Sequence, residues 1–143
     1  MKHLITFICL GMISIAGTQN AQAQTKEETI SWVKQKLEKY GGRDNSSYLN
    51  VQVSPCSVNF VATFNSGNKY NYSFNPSTAK TWKVYNEKDG IYADAEIVRW
   101  ESLGAAGSIH GPSIRNGESD IHERMIKALT HLATFCEKKK EAF

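Results

Sequence analysis

The chain has 143 residues, of which 41% are hydrophobic and 22% are charged, and its 17 Lys and Arg residues only slightly outnumber its 14 Asp and Glu residues. These are the proportions of an ordinary globular domain. They exclude a collagen, a disordered acidic tail and a polybasic arm that binds nucleic acid. The length suffices for one domain with a substantial core, and it excludes a multidomain enzyme.

Residues 1–23 have the pattern of a secretory signal peptide. A basic start leads into an apolar run over residues 4–16, and Ala21 and Ala23 supply the small residues of a cleavage site. The run is shorter than the roughly 20 apolar residues that a membrane-spanning helix needs. We therefore expect an exported protein, periplasmic or extracellular, with a single domain over residues 24–143 and no stable membrane anchor.

Cleavage would leave a weakly charged domain with two cysteines. The formal net charge falls from +3 to +2, which is too small for general affinity toward nucleic acid or a membrane surface. An oxidising compartment permits a disulfide between Cys56 and Cys136, and two buried free thiols are the alternative. A bridge would close a loop of about 80 residues and stabilise the fold by on the order of 4 kcal/mol.

A helix is predicted over residues 26–40. Thr25 and Glu28 have the spacing of a capping box, in which each side chain accepts a hydrogen bond from a backbone amide of the other residue. Gly41 and Gly42 supply a left-handed stop. The apolar positions recur every three or four residues and are Ile30, Val33, Leu37 and Tyr40, widened by Trp32.

From Tyr48 to Val98 the hydrophobic period changes to two, which predicts five antiparallel strands. In the first strand Leu49, Val51 and Val53 share a buried face, and a last strand is expected over residues 91–98. Turn residues separate the strands at Ser54-Pro55, Asn65-Ser66-Gly67-Asn68, Asn75-Pro76-Ser77-Thr78 and Asp89-Gly90.

The remaining chain predicts a loop and a second helix. Residues 102–118 are rich in glycine and are expected to be irregular, with a short edge strand possible at Ser108–His110. Ser119 is the expected N-cap of an amphipathic helix that finishes in Lys138–Lys140. The apolar positions of this helix are Ile121, Met125, Ala128, Leu129, Leu132 and Cys136.

These elements predict an α+β fold. An N-terminal helix precedes a curved antiparallel meander of five or six strands, which forms a half-barrel, and a C-terminal helix follows it. This order resembles the pleckstrin-homology-like architecture with an additional N-terminal helix. A cystatin-like sheet wrapped on the first helix is the alternative.

The two ends of the domain also resemble those of small exported bacterial proteins of uncharacterised function. The resemblance is carried by Glu28-Thr29-Ile30-Ser31-Trp32-Val33 and by Arg124-Met125-Ile126-Lys127-Ala128-Leu129-Thr130-His131-Leu132. It implies one compact domain and transfers no catalytic residue.

Catalytic and metal-binding patterns are weak in this sequence. His122 and His131 are nine residues apart on one helix and point in opposite directions, and His110 is isolated, so no metal or other cofactor is predicted. Asp94 and Glu96 are more typical of cross-strand ion pairs than of an acid and base pair. These patterns favour a protein that is not an enzyme, with a small hydrolase assembled from distant residues as one alternative.

Aromatic residues on the strands are the remaining candidates for function. Tyr70, Tyr72 and Trp82 predict a recognition surface for a protein, a peptide or a glycan, and ordinary cross-strand packing is the competing interpretation. His110 and Arg115 in the glycine-rich segment are further candidate contacts. A carrier of a small apolar or lipid-like ligand is the first alternative, ahead of the hydrolase, and it requires an enclosed cavity of roughly 300 Å³ or more between sheet and helices.

Overall fold

The computed structural model describes residues 25–86 and 90–136. In chain order the elements are α1 (Lys26–Tyr40), β1 (Ser46–Ser54), β2 (Ser57–Phe64), β3 (Lys69–Phe74), β4 (Trp82–Asn86), β5 (Gly90–Ala93), β6 (Val98–Ser102), β7 (Ala105–Ile109) and α2 (Ile121–Thr134). A 3-10 helix, Pro76–Thr78, links β3 to β4. This order confirms the predicted α+β class, with a helix at each end of an antiparallel sheet.

Three sequence predictions fall outside the described residues: the signal peptide over residues 1–23, the turn residue Asp89 and the terminal Lys138–Lys140. Within residues 25–86 and 90–136, no helix combines the length and the apolar character that crossing a membrane requires.

Five strands form one open antiparallel sheet in the order β1-β2-β3-β6-β7, and β4 and β5 form a separate two-stranded sheet. The predicted continuous strand over residues 91–98 is therefore wrong, because β5 ends at Ala93 and β6 begins at Val98. Asp94 turns the chain between them, since its Oδ1 accepts hydrogen bonds from the backbone N–H groups of Lys80 (2.9 Å) and Thr81 (3.2 Å). The glycine-rich segment, expected to be mainly irregular, supplies the edge strand β7.

A bulge in β1 changes which residues face the core. The register shifts between Leu49 and Gln52, and Asn50 takes a left-handed φ of 53°. Because side chains alternate along a strand, the extra residue sends Tyr48 and Val51 to the core and leaves Leu49 49% exposed. The prediction that Leu49 shares a buried face with Val51 is therefore wrong.

Helix α1 has the predicted bounds and the predicted cap. The Glu28 N–H donates to Thr25 Oγ1 at 3.2 Å, and the Thr25 N–H donates to Glu28 Oε2 at 2.8 Å. At the other end the Gly41 N–H donates to the carbonyl oxygen of Leu37 at 2.8 Å, and Gly42 supplies the left-handed φ of 104°. The buried face of α1 packs against β1 and α2.

Helix α2 begins without the predicted cap at Ser119. Its N-cap is Asp120, which has a left-handed φ of 56° and makes no side-chain cap. The helix packs against α1, the 3-10 helix and the β4–β5 hairpin, so burial of its apolar face holds it in place. The buried apolar residues are among those the sequence predicts: Ile121, Met125, Ala128, Leu129 and Leu132.

A disulfide ties the sheet to the end of α2. Cys56 lies in the turn between β1 and β2, Cys136 lies just beyond α2, and their sulfur atoms are 2.04 Å apart. Ser77 of the 3-10 helix places its Oγ 3.7 Å from Cys136 Sγ. Of the two alternatives for these cysteines, the structure contains the bridge.

A column of aromatic rings crosses the first three strands. The ring centroids of Tyr48 and Phe60 are 4.0 Å apart, and those of Phe60 and Tyr72 are 5.2 Å apart. The hydroxyl of Tyr48 accepts a hydrogen bond from the Ser113 N–H at 3.0 Å. Burial raises the pKa of Tyr48, and it also raises the pKa of the half-buried Tyr72.

Replacing Tyr48 by Phe should lower the free energy of unfolding by about 1–2 kcal/mol at neutral pH, because the Ser113 N–H loses its acceptor. Wild-type stability should fall above about pH 10, where the unfolded chain ionises a tyrosine that the folded protein keeps neutral. The free energy of unfolding of the variant should fall less at high pH, since Tyr48 no longer ionises on unfolding and the raised pKa of Tyr72 is the contribution that remains. Urea unfolding at about pH 7 and pH 11 measures both effects.

The matched control is Tyr85→Phe, because that side chain is 67% exposed. It should change stability by less than about 0.5 kcal/mol. A Tyr48→Phe variant as stable as the wild type at neutral pH would show that the hydrogen bond to Ser113 contributes nothing.

Candidate functional site

The outer face of the five-stranded sheet, away from the helices, carries two rows of side chains that cross all five strands. Each row is defined by residues that pair directly between neighbouring strands, in the order β1, β2, β3, β6, β7. The first row is Gln52, Asn59, Ser73, Arg99 and Ser108. The second row is Leu49, Val61, Asn71, Glu101 and Ala106.

The first row is polar on every strand. Strands in a sheet are about 4.8 Å apart, so the row extends over about 19 Å. The second row is apolar on β1 and β2 and polar at Asn71 and Glu101. The sheet thus presents an elongated polar surface with an apolar border at Leu49 and Val61.

Two adjoining depressions lie along these rows. The first has a volume of about 320 Å³ and is lined by residues of both rows, by Asn50 of the bulge, and by Phe60 and Tyr72 of β2 and β3. The second has a volume of about 390 Å³ and extends toward the turn between β6 and β7. Both are lined by Asn71 and Glu101, so they form one continuous surface that we call the polar trough.

Several side chains of the polar trough have unused hydrogen-bonding capacity. Gln52, Asn71, Arg99 and Glu101 are exposed, and the structure gives them no side-chain hydrogen bond or ion pair with the described residues. Asn59 differs, because its Nδ2 donates to Ser57 Oγ at 2.9 Å. The trough therefore offers donors and acceptors to a ligand without first breaking internal bonds.

The trough has no net charge. Its lining residues include one base, Arg99, and one acid, Glu101. Backbone geometry also distinguishes it, because Asn50 at its rim adopts the left-handed conformation that few residues other than glycine occupy. Bulges of this kind redirect side chains and are frequent beside functional sites.

Carboxyl groups with a shifted pKa lie outside the trough and have structural causes. The backbone amide of Thr25 lowers the pKa of Glu28, and that of Thr81 lowers the pKa of Asp94. A hydrogen bond from Lys36 lowers the pKa of Glu118. These shifts belong to the helix cap, the β5–β6 turn and an ion pair.

The predicted aromatic residues of β3 are half-buried and packed against other rings. Tyr70 lies edge-on to Phe64 at 5.4 Å and to Trp100 at 5.6 Å between centroids. Tyr72 stacks on Phe60. Both rings pack on the inner face of the sheet. Tyr72 also belongs to the lining of the first depression, so it is the one predicted site residue at the polar trough.

The other predicted site residues have separate surroundings. Trp82 on β4 packs edge-on to Phe74 with centroids 6.0 Å apart. His110 is exposed, with its Nδ1 3.2 Å from the carbonyl oxygen of Ala93. Arg115 donates from Nη2 to the carbonyl oxygen of Lys39 at 3.4 Å. The structure therefore does not gather Tyr70, Tyr72, Trp82, His110 and Arg115 into one site.

Metal ligands do not converge in the part of the chain that the structure describes: no three His, Cys, Asp or Glu side chains there could hold one ion. His122 is buried, and its Nε2 lies 2.7 Å from the carbonyl oxygen of Ile114. This contact accounts for a histidine inside the core.

Of the residues that line the polar trough, sequence reasoning identified only Tyr72 as a candidate. The alternation of polar and apolar residues shows that Asn71 and Ser73 share a face, as do Arg99 and Glu101. It does not show that these pairs are neighbours, because β4 and β5 separate them in sequence. Only the pairing of β3 with β6 brings Asn71 opposite Glu101.

Comparison with known proteins finds no matching family model, no similar curated protein and no similar solved structure. The resemblances to pleckstrin-homology-like domains and to small exported proteins stay predictions, and function is inferred from the geometry of the trough.

Proposed function

We propose that this protein is an exported binding domain that holds a neutral, hydroxyl-rich chain, a glycan, in the polar trough. The observation that carries the proposal is the first row, in which polar side chains lie side by side across all five strands. A surface of this length can contact several successive sugar units at once.

The chemistry of the trough suits sugar hydroxyl groups. Amide, guanidinium and carboxylate side chains are planar and can each make two hydrogen bonds to adjacent hydroxyls. The single base and single acid favour a ligand without net charge. Leu49 and Val61 provide apolar surface for the C–H faces of a sugar ring.

Binding without cleavage is what the trough supports. Most glycoside hydrolases use two carboxyl groups that flank the scissile bond. The residues that line the two depressions contain one carboxyl group, that of Glu101. Glu96 lies beside the first row, where it accepts a hydrogen bond from Ser108 Oγ at 2.6 Å. The hydrolase alternative would therefore need as its second acid Glu96, which lines neither depression.

A surface site also has more support than an internal ligand cavity. The space between sheet and helices is filled by fully buried side chains, among them Val33, Leu37, Met125 and Leu129. The two depressions of the trough lie on the opposite face and are open to solvent. The Cys56–Cys136 bridge is consistent with an oxidising compartment and so supports export.

A glycan array that contains neutral and anionic oligosaccharides tests this function. We expect binding to neutral glycans, with Kd raised about 5-fold by Asn71→Ala and about 10-fold by Arg99→Ala, which correspond to about 1 and 1.4 kcal/mol. Isothermal titration with the best glycan of the array measures these changes.

The matched control is Asn116→Ala, which removes an exposed amide in the segment that precedes α2. Its Kd should equal that of the wild type. Equal binding by Asn71→Ala and the wild type, or binding to anionic glycans alone, would contradict the proposal.

A further inference from the structure

The two sheets of this fold are joined at the point where the chain leaves β7. The Ala93 N–H donates to the carbonyl oxygen of His110 at 2.9 Å, and the carbonyl oxygen of Ala93 lies 3.2 Å from His110 Nδ1. The next residue, Gly111, lies so close to β5 that an added Cβ would overlap the carbonyl oxygen of Ile91. The β4–β5 hairpin therefore continues the five-stranded sheet beyond β7.

The outer face of the sheet is continuous across this junction. Because side chains alternate along an extended chain, His110 lies on the same face as Ser108, the β7 member of the first row. The His110 ring lies edge-on to the ring of Tyr92 on β5, with 6.2 Å between centroids. The polar trough therefore leads directly onto the outer face of the β4–β5 hairpin.

Three rings occupy this part of the outer face, and we call them the aromatic platform: Tyr85, Tyr92 and His110. Tyr85 and Tyr92 are nearly perpendicular, at 88°, with centroids 5.8 Å apart. Tyr92 alternates with Ile91 and Ala93, which are buried, so its ring points away from the core. Tyr92 is half-buried and His110 is exposed.

Core packing does not account for the aromatic platform. On the same hairpin Trp82 packs against Phe74 from the inner side. Tyr85, in contrast, is 67% exposed, and it is the only aromatic residue among the exposed large hydrophobic side chains of residues 25–86 and 90–136. An aromatic ring left in solvent beside a polar surface is a feature of binding sites, where tyrosine contributes strongly.

We propose that the aromatic platform is a second subsite for the same glycan, in which sugar rings stack on Tyr85 and Tyr92 beyond the polar trough. This inference rests on the proposed function. A sugar ring has C–H groups on its faces and hydroxyl groups at its rim. It can therefore lie flat on an apolar ring while its hydroxyls still form hydrogen bonds, and tyrosine combines an apolar ring with a polar hydroxyl.

Polar side chains border the path between the two subsites. Glu96 accepts a hydrogen bond from Ser108 Oγ at 2.6 Å, so its carboxylate lies where the first row ends. Lys83 is exposed and pairs directly with Tyr92 across the hairpin. These two side chains offer an acceptor and donors to the hydroxyl groups of a sugar that passes from the trough to the platform.

The spacing of the two subsites makes binding depend on the length of the glycan. His110 is two residues beyond Ser108, or about 7 Å along an extended chain. The rings of Tyr92 and Tyr85 follow at centroid separations of 6.2 Å and 5.8 Å. A short oligosaccharide would therefore occupy the trough alone, and a longer one would also reach the rings.

Isothermal titration with the malto-, xylo-, manno- and chito-oligosaccharides of the array, from trisaccharide to octasaccharide, tests the second subsite. Tyr85→Ala should raise the Kd of the longest oligosaccharide that binds about 10-fold and that of the shortest less than about 2-fold. Asn71→Ala should weaken binding at every length. The matched control is Tyr85→Phe, which keeps the ring and should change the Kd at every length less than about 3-fold.

Hydroxyl-radical footprinting of the wild type gives a second measurement that needs no variant. The longest oligosaccharide that binds should protect Tyr85 from oxidation, while the shortest should not. Trp32 on α1 is half-exposed and serves as the internal reference, because its oxidation should not change.

The outcomes separate the two proposals. If Tyr85→Ala binds the longest oligosaccharide as tightly as the wild type does, or if Tyr85 is not protected, the second subsite is overturned while the trough stands on Asn71→Ala. Equal weakening at every length by Tyr85→Ala, or an equal loss with Tyr85→Phe, would also overturn it. A wild type that binds none of these neutral series would overturn the proposed function and this inference together.

Discussion

Removal of the Cys56–Cys136 bridge should lower the free energy of unfolding by about 4–5 kcal/mol. The two cysteines are 80 residues apart, so the bridge strongly restricts the unfolded chain. It also holds the β1–β2 turn against the end of α2. Since domains of this size are stable by about 5–15 kcal/mol, the loss is a large share of the total. Urea unfolding with and without a reductant measures it.

The double variant Cys56→Ser with Cys136→Ser separates the bridge from the side chains. Its stability should match that of the reduced wild type, because Cys56 is exposed and a hydroxyl there costs little. Thiol titration of residues 24–143, which lack Cys9, should find no free thiol in the denatured, unreduced protein. Two reactive thiols, or an unchanged stability on reduction, would show that the bridge does not form.

The helices are the part of the fold that the sequence predicts best. The Thr25–Glu28 capping box and the apolar spacing of α1 are local features, and they determine both ends of that helix. The apolar stripe of α2 is equally local. The start of α2 is not a local feature of this kind, because the helix begins at Ile121 after an N-cap, Asp120, whose side chain makes no capping hydrogen bond.

The path of the middle strands could not be predicted from alternation. The hydrogen bonds from Lys80 and Thr81 to Asp94 join residues that are 14 and 13 positions apart, respectively, and end β5 early. The bulge at Asn50 could not be predicted from alternation either. It turns Tyr48 toward the core and Leu49 toward solvent, opposite to the alternating pattern. A strand pattern has period two, so one inserted residue inverts every later assignment.

The candidate site depends on these same nonlocal features. The first row begins at Gln52, which lies opposite Asn59 only because of the bulge, and it reaches Arg99 only because β6, and not β4, lies beside β3. The sequence therefore predicts polar strand faces but not their alignment into a trough. The candidate aromatic residues are conspicuous in sequence, yet Tyr70 and Tyr72 pack on the inner face and Trp82 lies on the separate two-stranded sheet.

Gly41→Ala should destabilise the protein by about 3 kcal/mol, at the upper end of the usual effect of overpacking a core. The φ of Gly41 is −64°, so alanine fits the backbone conformation. The obstacle is space, because an added Cβ would overlap the ring of Tyr48 and the carbonyl oxygen of Leu37. Tyr48 cannot move freely, since it stacks on Phe60 and accepts the hydrogen bond from Ser113.

Gly67→Ala is the matched control, because at Gly67 the backbone conformation disfavours alanine while space for the side chain is available. Its φ of 87° strains alanine, while nothing lies within 4 Å of the added Cβ. That strain should cost about 1–2 kcal/mol, less than the loss at Gly41. Urea unfolding of both variants compares the two effects directly. If Gly67→Ala were the more destabilising, overlap with the Tyr48 ring would not be the larger energetic cost, which would contradict the prediction for Gly41.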